Sequence, residues 1–321
     1  MSDSTLHDTD EIPDSDQRQF RLPMSMKGER LDKVLAGLLP DHSRSRLQGW
    51  IEDGHVLVNG EPGKVRQNVG ADDLITVSMQ LAPEQTAYTP GDVDFEVVAD
   101  SVDWIVVNKP AGLVTHPGAG NWSGTLLNGL LYRYPELAHV PRAGIVHRLD
   151  KDTDGLLVVA RNEIAQTHFV RQLQSRSMGR EYEALVMGHI PKEGSVTLPI
   201  GRDRHVPVRM STVHPIAPKE AITHFKRINF GYIAEAPVSH VQCRLETGRT
   251  HQIRVHLHSL GHPLLGDTLY NGKTLERVHR QMLHARRLTF IDPASEQART
   301  FEVAPPDDMA QVLASIEWEP I

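Results

Sequence analysis

The first eighty residues carry apolar positions of two different periods. Apolar residues recur every three or four positions over residues 29–39, which predicts an amphipathic helix. Ser43 is a typical N-cap for a second helix over residues 44–52, and Gly54 is suited to end it. Strand patterns follow at residues 55–59 and 73–79, and Asn59-Gly60 after the first is a strong hairpin signal.

From about residue 93 onward, helical and strand patterns follow one another without regular alternation. The predicted strands cover residues 95–99, 104–108, 156–160, 182–187 and 238–246, and the predicted helices cover residues 125–134, 163–174, 250–260 and 307–316. A parallel doubly wound sheet needs strands and helices in strict alternation, so we predict an α+β domain with a mostly antiparallel mixed sheet flanked by helices. Residues 81–92 hold two prolines and no periodic pattern, and we predict a linker there.

The composition is that of a globular protein with an acidic leader. Of 321 residues, 39% are apolar and 23% charged, and apolar runs are too short for a membrane-spanning helix. The single cysteine, Cys243, excludes an internal disulfide and a multi-cysteine zinc site, and no signal-peptide pattern is present, so we expect a cytoplasmic protein. Residues 1–17 hold six acids and no Lys or Arg, and without these six charges the net charge of −7 becomes −1. We predict a disordered acidic tail there and two folded parts, residues 18–80 and 93–321.

The two predicted helices of residues 18–80 share a polar, basic surface. Its members are Arg30, Lys33, Ser43, Arg44, Ser45 and Arg46. Helix N-termini and guanidinium groups both donate hydrogen bonds to phosphate oxygens, although two ordinary solvated helix faces would carry similar charges. The string ERLDKVLAGLLPDHSRSRLQGWIEDGHVLVNGEPGKVRQNVGADDLITV resembles the S4 RNA-binding domain. That resemblance implies docking on structured RNA, mainly through its backbone, without chemistry.

The densest chemical string is GIVHRLDKDTDGLLVVAR, residues 144–161. Asp150, Asp152 and Asp154 before Gly155 match the first half of a calcium-binding EF-hand loop, but Arg161 stands where that loop needs its bidentate glutamate. A second interpretation is a partly desolvated, ionised carboxylate at a loop–strand junction, which is a plausible nucleophile. A structural Asp–Arg pair in a turn would explain the same spacing.

Three strings of the second part resemble the RluA family of pseudouridine synthases. They are HRLDKDTDGLLVVAR (147–161), REYEALVMGHI (180–190) and GRTHQIRVHLHSLGHPLLGD (248–267). The resemblance runs from about Arg30 to about Pro305 and implies isomerisation of uridine within an RNA chain, without a cofactor or metal. For the members most like this chain it implies a uridine of 23S ribosomal RNA, in the helix 69 stem–loop, as substrate.

The resemblance also implies roles for four residues. Asp150 matches the catalytic aspartate, which either adds to the ribose or abstracts a ribose proton. Tyr182 matches a tyrosine that lies against the uracil and accepts the C5 proton, although a core strand tyrosine would give the same pattern. Arg254 matches the arginine that pairs with the aspartate, and we expect a bidentate fork there. Arg148 matches the residue that replaces the everted base in its stack.

Further RNA contacts are expected from polar residues beside these motifs. They are His147, Arg202, Arg204, Arg249, His251 and Gln252. A zinc site formed by His251, His256, His258 and His262 is an alternative, but Arg254 at its centre would repel a dication, so we expect no metal. Two other functions remain open: a non-catalytic RNA chaperone with the same modules, and a synthase acting on other uridines or on tRNA.

Overall fold

The computed structural model describes residues 17–80, 87–118 and 120–320. The chain folds into two compact units, which divide between residues 85 and 86. Most of the predicted acidic tail (1–16) and part of the predicted linker (81–86) lie outside the described residues. Gln17, which the sequence placed in the tail, instead begins a strand. Among the described residues, no helix is both long and apolar enough to cross a membrane.

The first unit packs two helices on a small antiparallel sheet. Its strands are β1 (Gln17–Arg21), β2 (Glu29–Arg30), β3 (Val56–Val58), β4 (Glu61–Pro62), β5 (Asn68–Val69) and β6 (Leu74–Ser78), and its helices are α1 (Leu31–Leu38) and α2 (Arg44–Glu52). The sheet order is β1-β6-β3-β4, and β2 pairs separately with β5. That pairing draws Glu29 and Arg30 into a strand, so α1 begins two residues later than its apolar period predicts.

A buried carboxylate ties the two helices of this unit together. Asp32 is fully buried on α1, and it accepts hydrogen bonds from Arg30 (3.0 Å to each oxygen), Arg44 (2.7 Å) and Gln48 (2.8 Å). Burial alone would raise the pKa of Asp32, but these hydrogen bonds outweigh burial and hold the pKa below its usual value. Arg30 and Arg44, predicted as RNA-binding residues, therefore have an internal partner as well.

The other predicted RNA-binding residues of this unit also make local contacts. Lys33 pairs with Glu29 at 3.3 Å on the surface of α1. Ser43 caps α2 by accepting the backbone N–H of Arg46 and shares a hydrogen bond with Ser45. Arg46 lies over the ring of Trp50, with its guanidinium carbon 5.2 Å from the ring centroid. These side chains remain at least partly exposed.

The second unit is built on one ten-stranded sheet. Its strands are β7 (Glu96–Asp100), β8 (Trp104–Lys109), β9 (Asp154–Ala160), β10 (Gly179–Met187), β11 (Glu193–Val196), β15 (Thr223–Ile233), β16 (Ala236–Leu245), β17 (Leu283–Ile291), β18 (Ala298–Glu302) and β19 (Glu317–Trp318). A smaller three-stranded sheet is formed by β12 (Ile200–Arg202), β13 (Met210–Ser211) and β14 (Ile216–Lys219). The helices are α3 (Leu126–Arg133), α4 (Glu163–Gln174), α5 (Gln252–Ser259) and α6 (Asp307–Ala314).

The order of the large sheet confirms the predicted α+β class. It runs β11-β15-β16-β10-β17-β9-β8-β7, with β18 beside β17 and β19 beside β15. Every pairing is antiparallel except that of β9 with β17, which is parallel and joins only Asp154 to His284 and Gly155 to Ala285. Gly155 has φ +109, and a Cβ there would lie 2.3 Å from the carbonyl oxygen of Ala285. Only glycine therefore allows this close junction, directly after the Asp150 loop.

Strand β9 is buried on both faces, which explains its continuous apolar run. Leu157 and Val159 pack into a core cluster with α3 and α5, whereas Leu156 and Val158 pack with Phe169 of α4. Helix α4 has the predicted bounds, but α5 begins at Gln252 because His251 adopts a left-handed backbone conformation (φ 56). Strands β15 and β17 were missed, since charged residues interrupt their apolar alternation.

Asp32→Asn tests the tie between α1 and α2. We expect the variant to unfold with a free energy lower by about 2 kcal/mol at pH 7, the order of a lost hydrogen bond to a charged group. The pKa of Asp32 is lower in the folded protein than in the unfolded chain, so ionised Asp32 stabilises the fold fully above the unfolded pKa. This stabilisation decreases as the pH falls from the unfolded pKa toward the folded one. The difference in unfolding free energy between wild type and variant should therefore be smaller at pH 3 than at pH 7. Amide hydrogen exchange of α1 measures this. Exposed Asp41→Asn is the control, and equal protection in both variants would contradict the prediction.

Candidate active site

A cavity of about 950 Å³ opens in the second unit, where the loop before β9, the start of β10 and the N-terminus of α5 meet. The predicted residues Arg148, Asp150, Tyr182 and Arg254 all line it. So do four of the residues expected to contact RNA: His147, Arg249, His251 and Gln252. Three segments that are distant in the sequence thus converge on one pocket of a size typical for small-molecule sites.

Arg254 lies between two carboxylates at the floor of this cavity. Its Nη1 donates to Oδ2 of Asp150 at 3.0 Å, while Nε and Nη2 donate to the two oxygens of Asp267 at 2.7 and 2.9 Å. The expected bidentate fork therefore exists, but it holds Asp267 and not Asp150. Asp267 is almost completely buried (1% exposed), whereas Asp150 is 17% exposed toward the cavity. The inner carboxylate orients the guanidinium, and the guanidinium in turn orients Asp150.

The charges of this triad keep Arg254 protonated. Burial alone would lower the pKa of the guanidinium, but the hydrogen bonds and negative charges of Asp267 and Asp150 raise it above its ordinary value. Arg254 also lies against the ring of Tyr270, with the guanidinium carbon 5.1 Å from the ring centroid. Asp150 is therefore held beside a permanent positive charge.

A second layer positions the cavity-facing His251. The hydroxyl of buried Tyr270 accepts the backbone N–H of Met210 at 2.8 Å and lies 2.8 Å from Nδ1 of His251. Burial raises the pKa of Tyr270 to about 12, so the phenol is neutral at pH 7 and shares a hydrogen bond with Nδ1. Burial lowers the pKa of His251, so its ring is neutral at pH 7.

Tyr182 is a buried aromatic wall of the cavity, 6% exposed. Burial and the nearby charge of Asp150 raise its pKa, while Arg180 opposes the shift. The phenol therefore stays protonated at neutral pH, where it can stack and donate but is a poor proton acceptor. Of the two roles expected for Tyr182, this favours stacking against the uracil over accepting its C5 proton.

The loop that carries Asp150 is fixed from beneath by a lysine that sequence reasoning missed. Lys109 is fully buried, and its ammonium donates to the carbonyl oxygens of Pro110 and Leu113 at 2.8 Å and of Lys151 at 3.0 Å. Burial lowers the pKa of Lys109 to about 8 against the opposing charges of nearby aspartates, Asp154 first. All three donor positions of the ammonium are thus used to hold backbone.

The other polar residues expected at the RNA interface differ in exposure and in their distance from the cavity. Arg148 is exposed at the cavity, and exposed Arg249 donates to the carbonyl oxygen of Glu220. Gln252 is instead buried, and its amide is satisfied by Thr247, Arg249, Ile222 and Thr223. Gln252 thus has a structural role at the cavity wall, and a contact with RNA stays a prediction. Arg202 ends strand β12 and Arg204 lies in the loop after it, and both are exposed and outside the cavity lining.

The side chains considered for metal binding have other partners. Asp154 is buried and pairs with Arg280 and His284. His256 bonds Thr223 and the carbonyl oxygen of Leu198, and His262 bonds the carbonyl oxygen of Met187. Over the described ranges, no group of three His, Cys, Asp or Glu side chains is arranged to hold a metal ion.

Asp267 could have been found from the sequence, because it ends the quoted string GHPLLGD in the third motif. Tyr270 and Lys109 give no local signal, since a lone Tyr or Lys beside apolar residues is typical of any strand or loop. Their roles follow only from the partners that the fold brings to them.

Comparison with known proteins identifies the family. Residues 103–259 match the RNA pseudouridylate synthase family and residues 29–75 match the S4 domain. The ribosomal large subunit pseudouridine synthase D of Neisseria meningitidis serogroup A is 45% identical over 309 residues, which cover 93% of this chain and 81% of that protein. The protein of the same name from Pseudomonas aeruginosa is 43% identical over 323 residues, which cover 96% and 98%.

Solved structures agree with this. Human RNA Pseudouridylate Synthase Domain Containing 1 is 30% identical with a TM-score of 0.55, over 75% of this chain and 91% of that chain. Human RNA Pseudouridylate Synthase Domain Containing 4, at 24% identity and a TM-score of 0.54 over 70% and 94%, has the same fold. The chain belongs to the RNA pseudouridylate synthase family and carries an N-terminal S4 domain.

Asp267→Asn tests whether the inner carboxylate holds the triad together. We expect the free energy of unfolding to fall by about 3 kcal/mol, the order for breaking a buried ion pair by removing one partner. Asp308→Asn is the matched control, because Asp308 receives a similar fork from Arg280 but is 45% exposed. Its loss should be about 1 kcal/mol or less. Urea unfolding measures both, and equal losses would show that burial of the Asp267 pair contributes nothing special.

Proposed function

We propose that this member of the RNA pseudouridylate synthase family isomerises uridine to pseudouridine in large-subunit ribosomal RNA, with Asp150 as the reacting side chain. The observation that carries the proposal is the carboxylate of Asp150, held by Arg254 at the floor of a cavity walled by Tyr182. Its relatives named for the large ribosomal subunit, and the S4 domain, support the RNA class. Within that RNA we propose the helix 69 stem–loop, and we place the reaction in the cytoplasm.

The reaction rearranges one nucleotide without adding or removing a group. The bond between N1 and C1′ breaks, the uracil turns over, C5 bonds to C1′, and the C5 proton is exchanged for one at N1. Among the described residues, only Arg254 donates to the carboxylate of Asp150, and it occupies Oδ2. Oδ1 is thus available to the substrate, either to add at the ribose or to abstract a ribose proton.

The remaining side chains around Asp150 exclude water and orient the base. The target nucleotide has to leave its stack, which costs a few kcal/mol, and exposed Arg148 is placed to occupy the vacated position. Tyr182 gives the base an aromatic face, and the neutral ring of His251 adds a polar group to the cavity wall. No step requires an oxidant, and we propose that the enzyme works without a cofactor.

Release of tritium tests the proposal directly. Wild-type protein incubated with rRNA tritiated at uracil C5 should release tritium to water, and mapping the product should locate pseudouridine. Asp150→Asn should fold, bind the same RNA and release no tritium above background. Asp152→Asn, a partly exposed aspartate two residues along, is the control and should retain release. Turnover by Asp150→Asn near the wild-type rate would overturn the assignment, and no release by the wild type would favour an RNA chaperone.

The S4 domain should supply much of the affinity for structured rRNA. Removal of residues 1–80 should weaken binding and flatten the dependence of log K on log salt concentration, because each lost phosphate contact lowers that slope by about 0.7–0.9. Filter binding at several salt concentrations measures both, and thermal unfolding of the truncated protein shows whether the second unit is intact. Unchanged affinity and slope in a folded truncated protein would refute the docking role.

A further inference from the structure

Arg180, the second residue of β10, is a buried cation without an anionic partner among the described residues. Its side chain lines the cavity, and the residue is 6% exposed. Nη2 makes a long hydrogen bond of 3.3 Å to the carbonyl oxygen of Glu246, and the buried Nε has no hydrogen-bond partner within the described chain. The Glu246 carboxylate is engaged by Arg176 and His224. Most buried charges in proteins are paired, so this one needs an explanation.

His147 adds a second unpartnered donor to the same cavity. Strands β9 and β17 pair only at Asp154 and Gly155, and beyond that point the N–H of Val158 donates to Nε2 of His147 at 3.2 Å. Burial lowers the pKa of His147 to about 3, and the charge of Arg180 contributes, so the ring is neutral. With Nε2 as the acceptor, the proton is on Nδ1, which is buried and has no partner among the described residues.

The placement of Arg180 relates it to the reacting base. Arg180 and Tyr182 are two residues apart on β10, so both side chains lie on the cavity face of the sheet, about 7 Å apart along the strand. A Cβ on Gly248 would lie 2.6 Å from Nη1 of Arg180, so the absence of a side chain there makes room for the guanidinium. A nucleotide whose base lies against Tyr182 would bring its backbone toward Arg180.

We propose that Arg180, together with His147, binds a phosphodiester next to the target uridine. This inference rests on the proposed function, because it takes the RNA substrate as the source of the phosphate. A guanidinium that lacks a counter-charge is completed best by an anion that accepts several N–H groups, and a phosphate does so, whereas uracil is neutral. Arg180 would then be a binding residue that couples eversion of the nucleotide to its seating over Asp150.

The test is a coupling experiment that measures binding, so it does not depend on turnover. Synthetic stem–loop RNAs of the large subunit carry a neutral methylphosphonate at one loop linkage at a time. On unmodified RNA we expect Arg180→Met to raise Kd roughly 10- to 100-fold, the range for a lost charge-assisted hydrogen bond, and to lower the salt slope by about 0.7–0.9. At one linkage, the methylphosphonate should raise the Kd of the wild type by a similar factor. The same methylphosphonate should raise the Kd of Arg180→Met only slightly, because the contact is already lost.

Two controls make the outcome specific. Arg180→Lys keeps the charge and should retain part of the affinity and the same sensitive linkage, whereas Arg287→Gln, which removes a partly exposed arginine paired with Glu302, should show no coupling. Thermal unfolding of free Arg180→Met should be unchanged or shifted upward, because an uncompensated buried charge has been removed. The inference would be overturned if, at every linkage, the fold-increase in Kd caused by Arg180→Met and the fold-increase caused by the neutral linkage simply multiplied, because the two changes would then be independent. The proposed function fails separately, if the wild type forms no pseudouridine.

Discussion

The site depends on the ion pairs that the guanidinium of Arg254 forms with Asp150 and Asp267. The guanidinium bridges these two aspartates at 2.7–3.0 Å, and the side chain of Arg254 is only 7% exposed. Desolvation of three charges is expensive, and such a group is tolerated only when the geometry is close and every N–H has an acceptor. Here the three nitrogens all donate, and the ring of Tyr270 covers one side. The less buried aspartate is thereby held in place at the cavity.

The fold supplies the rigidity that this arrangement needs. Asp150 lies on a loop, but the loop is anchored where Lys109 binds the carbonyl oxygen of Lys151 and where Gly155 allows β9 to meet β17. Both anchors are within a few residues of the reacting carboxylate. A loop position suits a group that must meet a substrate, and the buried contacts give it the precision that loops usually lack.

Charge in this protein is organised locally, which is why the net value of −7 says little about its partners. In the first unit Asp32 orders Arg30 and Arg44 while leaving both partly exposed. In the second unit the cavity wall carries Arg148, Arg180 and Arg249. Each basic cluster can attract a polyanion even when the chain as a whole is acidic.

The sequence by itself determined the fold class and the family, and it identified Asp150, Tyr182, Arg148 and Arg254 as the residues to examine. It could do so because short motifs and the bounds of helices such as α4 are local properties. The tertiary structure decided which partner each charged group has: the fork of Arg254 on Asp267, the use of Arg44 by Asp32, and the isolation of Arg180 among the described residues. Strands β15 and β17 likewise became recognisable only through their neighbours in the sheet. Desolvation and hydrogen bonding between distant segments depend on proximity in space, and no local pattern in the chain encodes that proximity.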